Sequence, residues 1–153
     1  MKLFTILLFL YCIIHSTPTA YSVPAEMPKK VYVFELSQDI FPAAWRLVKQ
    51  AMDEANRLKC DYILIKLNTY GGQLDIADSI RARLLNAHQT VIVWITQNAA
   101  SAGALIAISC DSIYMRKGAA IGAASVVNQD GELMPDKYQS YMRGMMRSTA
   151  EQQ

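Results

Sequence analysis

The residue best placed to do chemistry is Ser101, in the run Asn98-Ala99-Ala100-Ser101-Ala102-Gly103. Small neighbours let a substrate carbonyl approach and let the chain turn sharply from a strand into a helix, so the hydroxyl is presented rather than buried. That arrangement suits nucleophilic attack on an acyl group. The first N–H groups of the following helix have no helical partner and carry the positive end of its dipole, so Ala102 N–H can hold a developing oxyanion. The same position fits Ser101 equally well as a plain helix N-cap, a role in which serine is common. Gly71-Gly72, after Asn68-Thr69-Tyr70, belongs to the same chemistry. A glycine pair lets the backbone turn its N–H groups toward a ligand with no side chain in the way. Taken alone, it reads as an ordinary strand-to-helix turn.

A serine hydroxyl is a poor nucleophile until a base takes its proton, so the base decides the mechanism. The chain has two histidines. His15 falls in a segment expected to be removed, and His88 falls between a helix end and the amino end of the third expected strand, opposite the edge where Ser101 sits. This arrangement argues against a Ser-His-Asp triad. Lys137 falls in the first turn of the last expected helix, just after Pro135-Asp136. There the helix dipole opposes an ammonium charge, and partial burial would lower its pKa from about 10.4. A lone lysine at that place reads more readily as a solvated surface residue, and only a match to a family motif changes this.

Positioning these groups requires strands and helices in alternation. Val31 to Leu36 is a short β-rich run, and Ile40 to Leu58 carries a helical stripe at Ala44, Val48, Ala51, Ala55 and Leu58. Tyr62 to Leu67 reads as a buried strand, Leu74, Ala77, Ile80 and Leu84 mark a helix face, and Val91 to Thr96 reads as a third strand. A small-residue helix is expected over Ala99 to Ser109 and a fourth strand over Ser112 to Met115. A Gly/Ala-rich stretch follows from Gly118 to Ser125, then a turn at Asn128 to Gly131 and a last helix from Pro135 onward. The starts Cys60-Asp61-Tyr62-Ile63 and Cys110-Asp111-Ser112-Ile113 hint at a repeated β-α unit. Such alternation implies right-handed crossovers and a mainly parallel sheet, with chemistry where strand carboxyl ends meet helix amino ends. Asn68 to Gly72 and Gln97 to Gly103 fall at such junctions.

A chain of 153 residues accommodates one domain and one core. Its net charge of +2 and interspersed charges leave no footprint for nucleic acid. Lys2, the apolar run Leu3 to Ile14 and the small and polar residues after it have the layout of a secretory signal peptide, too short to span a bilayer. Cleavage after Ser22 or Ala25 is expected, leaving residues 23–30 as a linker, residues 31–153 as the domain and an extracytoplasmic location. Tyr11 before Cys12 argues against a lipoprotein. Cys60 and Cys110 lack the close spacing of a zinc site, and no metal or cofactor is expected; each precedes an apolar strand, which favours buried thiols over a bridge.

Asn68-Thr69-Tyr70-Gly71-Gly72, Asn98 to Gly103, Ile121-Gly122-Ala123-Ala124 and Pro135-Asp136-Lys137 together resemble the membrane-bound serine proteases called NfeD, from about Val31 to the end of the chain. The resemblance implies the Clp/crotonase fold, shared with the Clp protease proteolytic subunit and signal peptide peptidase A, and a Ser-Lys dyad. It makes Ser101 the nucleophile and Lys137 the base, with Gly72 or Gly71 and Ala102 giving the oxyanion N–H groups. It also implies polypeptide substrates with apolar segments, stomatin-like membrane partners and a homo-oligomer. Tyr70 departs from the family, which usually has Pro before the glycine pair; its loss raises loop freedom. Family members continue through the rest of the domain and several membrane spans, so the chain reads as an incomplete domain whose membrane attachment lies further on. Met142, Met145 and Met146 on the last helix are expected at core or oligomer contacts. Two other classes compete with the protease. One is a crotonase-type acyl-CoA enzyme, disfavoured by the signal peptide and Ser101, and the other is a noncatalytic scaffold binding a membrane partner.

Overall fold

The computed structural model describes residues 28–128 and 130–153. The expected signal peptide, Cys12 and His15, and most of the expected linker, lie outside the described residues. Strands β1 (Val31–Leu36), β2 (Tyr62–Thr69), β3 (Thr90–Ala100), β4 (Ser112–Met115) and β5 (Ala120–Gly122) are joined with helices α1 (Pro42–Arg57), α2 (Leu74–Leu85), α3 (Ala102–Ala107) and α4 (Asp136–Ala150). The strands run in the order β1-β2-β3-β4, all paired in parallel, and β5 takes the carboxyl half of β3. This is the parallel α/β architecture that the alternation of elements implies.

Successive side chains of a strand point to opposite faces, and here one face carries the core. Ile63, Ile65 and Leu67 of β2 and Val91, Val93 and Ile95 of β3 are fully buried together with Ala44, Val48, Ala77 and Ile80 of α1 and α2. Tyr62, Leu64 and Lys66 on the other face of β2 are only half-buried, so this strand is less enclosed than its apolar run implies. Each such isoleucine contributes about 1.5–3 kcal/mol on burial. Pro42 opens α1 where its missing N–H costs nothing. Lys59, with φ 53°, closes that helix: Cys60 N–H donates to Ala55 O and Lys59 N–H to Asn56 O, the pairing usually built around a glycine.

Helix α4 buries Met142 and Met145, and Met146 packs half-buried against the same core, so the methionine stripe is a core contact. Arg81 Nη1 of α2 donates to the buried Thr149 Oγ1 of α4 at 3.4 Å. Cys60 and Cys110 are both free thiols, the first half-buried and the second buried. Burial, and then the carboxylate of Asp111, push the Cys110 thiol well above its ordinary range. Iodoacetamide at about pH 8 is therefore expected to alkylate Cys60 in the native chain and spare Cys110, with both labelled in denaturant. A mass spectrum of the unreduced, denatured chain showing neither labelled would instead reveal a bridge.

Candidate active site

The site begins with an irregularity in the sheet. Leu67 pairs with Ile95 but Thr69 pairs with Ala99, so the three residues Thr96 to Asn98 of β3 stand opposite the single Asn68 of β2. Such a bulge leaves backbone groups to be satisfied otherwise and re-aims the strand beyond it. Asn68 Oδ1 accepts from Asn98 N–H at 3.1 Å, and Thr96 Oγ1 donates to Leu67 O at 3.2 Å. The redirected end of β3 then pairs with β5 through Asn98 to Ala100. The third strand thus runs past Thr96 to Ala100, and the helix starts at Ala102 rather than Ala99. The residues Gln97 to Ala100 have little β propensity, and their extended form rests on this long-range pairing.

Ser101 occupies the single residue between β3 and α3, with φ 52° and ψ −116°. That backbone region is favourable only to glycine and stores strain. The turn is held by Ser101 N–H, which donates to Gly122 O at 2.8 Å, and by Ala104 N–H, which donates to Ser101 O at 3.0 Å. The hydroxyl makes no cap hydrogen bond, so the N-cap role is not filled. Ala123, next to Gly122, is another non-glycine residue with positive φ, 53°, as Lys59 is at the end of α1. Gly71 packs directly on the serine: a Cβ placed there would lie 2.7 Å from Ser101 Cβ and 3.2 Å from Oγ. Gly103 is equally constrained, since a Cβ would meet Thr69 Cγ2 at 2.5 Å.

Ser101, Ala102 and Gly72 line one cleft of about 600 Å³, walled by Phe41, Tyr70, Leu74, Val126, Val127 and Met142. Gly71 N–H donates to Thr69 Oγ1 at 3.1 Å. No partner among the described residues accepts from Gly72 or Ala102 N–H. Tyr70, 74% exposed, stands at the mouth, and its loop is held by Ile40 N–H donating to Gly71 O at 2.8 Å.

His88 lies away from the site, as its place before the third strand implies, and Lys137 lies away from it against expectation. His88 falls in the turn before β3, at the end of the strand remote from Ser101. Lys137 is in the first turn of α4, exposed rather than partly buried, with Nζ 4.9 Å from the ring centre of Tyr138 and outside the cleft lining. The structure therefore brings Ser101, Ala102, Gly71 and Gly72 together and leaves Lys137 apart. Of the residues lining the cleft, only Tyr70 carries a titratable side chain. Gln139 was not legible as part of the site. Its Oε1 accepts from Val126 N–H at 3.0 Å, and its Nε2 donates to Val126 O at 2.6 Å and Met134 O at 3.0 Å, tying the cleft wall to the start of α4. A lone glutamine in a polar helix face gives no sequence signal for such a clamp.

A parallel α/β layer presenting a strained serine between strand and helix places the domain with the ClpP-like folds; ClpP1 from Listeria monocytogenes superimposes with a TM-score of 0.62 at 18% identity, covering 80% of this chain and 74% of that one. Residues 30–153 match the family described as NfeD1b, N-terminal domain, and the chain belongs to that family. It is 28% identical over 120 residues to the membrane protein NfeD1b of Bacillus subtilis (strain 168), covering 78% of this chain and 28% of the relative. It is 28% identical over 130 residues to the membrane-bound protease PH1510 of Pyrococcus horikoshii, covering 80% of this chain and 30% of that relative. The chain thus spans under a third of the curated relatives it matches. A mutant of the 1510-N membrane-bound stomatin-specific protease gives a TM-score of 0.77 at 26% identity, covering 82% of this chain and 65% of the other. A second mutant, in complex with a substrate peptide, gives 0.76 at 26% identity, covering 82% and 61%. No helix of the described residues is long and apolar enough to cross a membrane.

Proposed function

We propose that the domain, residues 31–153, is a serine endopeptidase in which Ser101 attacks the scissile carbonyl, Lys137 takes its proton, and the Gly72 and Ala102 N–H groups receive the oxyanion. The observation that carries this reading is the backbone of Ser101. A strained, uncapped serine packed against a glycine, at the head of a cleft, is hard to account for by stability. The relationship to a named protease agrees with it. Of the two glycine N–H groups offered by the sequence, Gly72 suits the oxyanion, because Gly71 N–H is already engaged by Thr69.

The cleft walls are mostly apolar, which fits an extended peptide with apolar side chains. Stomatin specificity belongs to 1510-N, and we carry it here as a proposal: a stomatin-like membrane protein as substrate, met by an exported domain attached to the membrane. Assembly into a homo-oligomer is part of the same reading. A noncatalytic binding role is favoured by one observation, the position of Lys137 outside the cleft. A peptidyl fluorophosphonate separates the two: covalent capture mapped to Ser101 by mass spectrometry is expected, and peptide binding without any adduct would favour the scaffold.

A further inference from the structure

Thr69 is buried to 3% exposure, one of three buried polar residues among the described residues, and it touches both halves of the site. Its hydroxyl accepts from Gly71 N–H at 3.1 Å and lies 3.4 Å from Gly71 O. Its methyl group fills the space over Gly103, two residues past Ser101. Gly71 O also accepts from Ile40 N–H at 2.8 Å. The Gly71–Gly72 peptide is planar and trans, so its C=O and N–H point in opposite directions. Fixing Gly71 O toward Ile40 and Thr69 therefore fixes Gly72 N–H on the other side, and Gly72 is a residue of the cleft that holds Ser101.

Building on the peptidase reading, we infer that Thr69 is a positioning residue: its hydroxyl locks the glycine loop so that Gly72 N–H faces the reacting carbonyl, and its methyl sets that loop against the helix that follows the nucleophile. The two parts of the side chain have separate consequences. The hydroxyl orients a donor that gains strength only as charge develops on the carbonyl oxygen, so it acts on the transition state and not on substrate binding. The methyl packs and acts on stability.

The test compares Thr69→Val and Thr69→Ser in the full chain, measuring kcat and KM on an apolar fluorogenic peptide, affinity for a peptide boronate, and Tm. Val keeps the shape and removes the acceptor, and is expected to lower kcat by about tenfold to a hundredfold with KM within about twofold. Boronate affinity is expected to fall by a similar factor. Ser keeps the hydroxyl and loses the methyl, and is expected to keep kcat within about threefold of wild type while lowering Tm. A purely structural role predicts the reverse order, and a Thr69→Val enzyme with wild-type kcat would overturn the inference. A Ser101→Ala control distinguishes the levels: turnover surviving it sinks the peptidase reading itself, whereas turnover lost in Ser101→Ala but kept in Thr69→Val sinks only the role of Thr69.

Discussion

Ser101→Ala is expected to lower kcat/KM on an apolar peptide by at least about a thousandfold while leaving Tm nearly unchanged. The two halves of that expectation have separate causes. Turnover falls because the covalent step loses its nucleophile. Stability holds because the hydroxyl makes no cap hydrogen bond, so the loss of about 1 kcal/mol that follows removal of a serine cap has no source here. Ser101→Gly sharpens the point. At φ 52° and ψ −116° a side chain costs about 1–3 kcal/mol, of which the greater freedom of glycine in the unfolded chain takes back under about 1 kcal/mol. A variant that is dead as an enzyme and melts a few degrees higher is the expected outcome, measured by calorimetry beside the peptide assay. A serine kept for the fold would behave oppositely, with Ser101→Ala losing stability and Ser101→Gly gaining none.

The strands and helices that build the core were legible because their apolar residues recur at fixed periods. Ala44, Val48, Ala51 and Ala55 mark the buried face of α1, and Ile63, Ile65 and Leu67 that of β2. Ser101 and the glycine pair were legible only in company: each alone reads as a helix cap or an ordinary turn, and the order and spacing of four separated segments give them their role. Three features were not. Strand β5 is three residues of Ala-Ile-Gly, and its extended form is set by pairing with Asn98 to Ala100, across about twenty intervening residues. The bulge in β3 arises from a mismatch of register between two strands, which neither strand records alone. Thr69 gave no sign of its role because a threonine at a strand end is ordinary; only the approach of Gly103 and the turn at Gly71 give it one.

Lys137→Ala is the other substitution with a large expected effect, about a hundredfold to ten-thousandfold on kcat if the lysine is the base. The structure adds a condition. Lys137 and Tyr141 are four residues apart and share a face of α4, and Tyr141 is exposed, whereas Tyr138 shares a face with Met142, which lines the cleft. Successive helix residues are about 100° apart, so Lys137 projects from α4 about one residue's rotation away from the face that lines the cleft. Two local contacts hold that turn in place: the ammonium over the Tyr138 ring, worth about 0.5–1 kcal/mol at an exposed site, and the Gln139 clamp on Val126. Lys137→Arg tests the chemistry independently of the charge. A guanidinium keeps the cation but cannot take a proton, so it should be as inactive as Ala, while a lysine needed only for its charge would be rescued. Tyr138→Leu removes the ring on which the ammonium rests and is expected to raise kcat up to about fivefold, the factor that 1 kcal/mol allows. An unchanged kcat in Lys137→Ala would leave Ser101 without this base, and Tyr70, which carries the one titratable side chain along the cleft, would be the next residue to substitute.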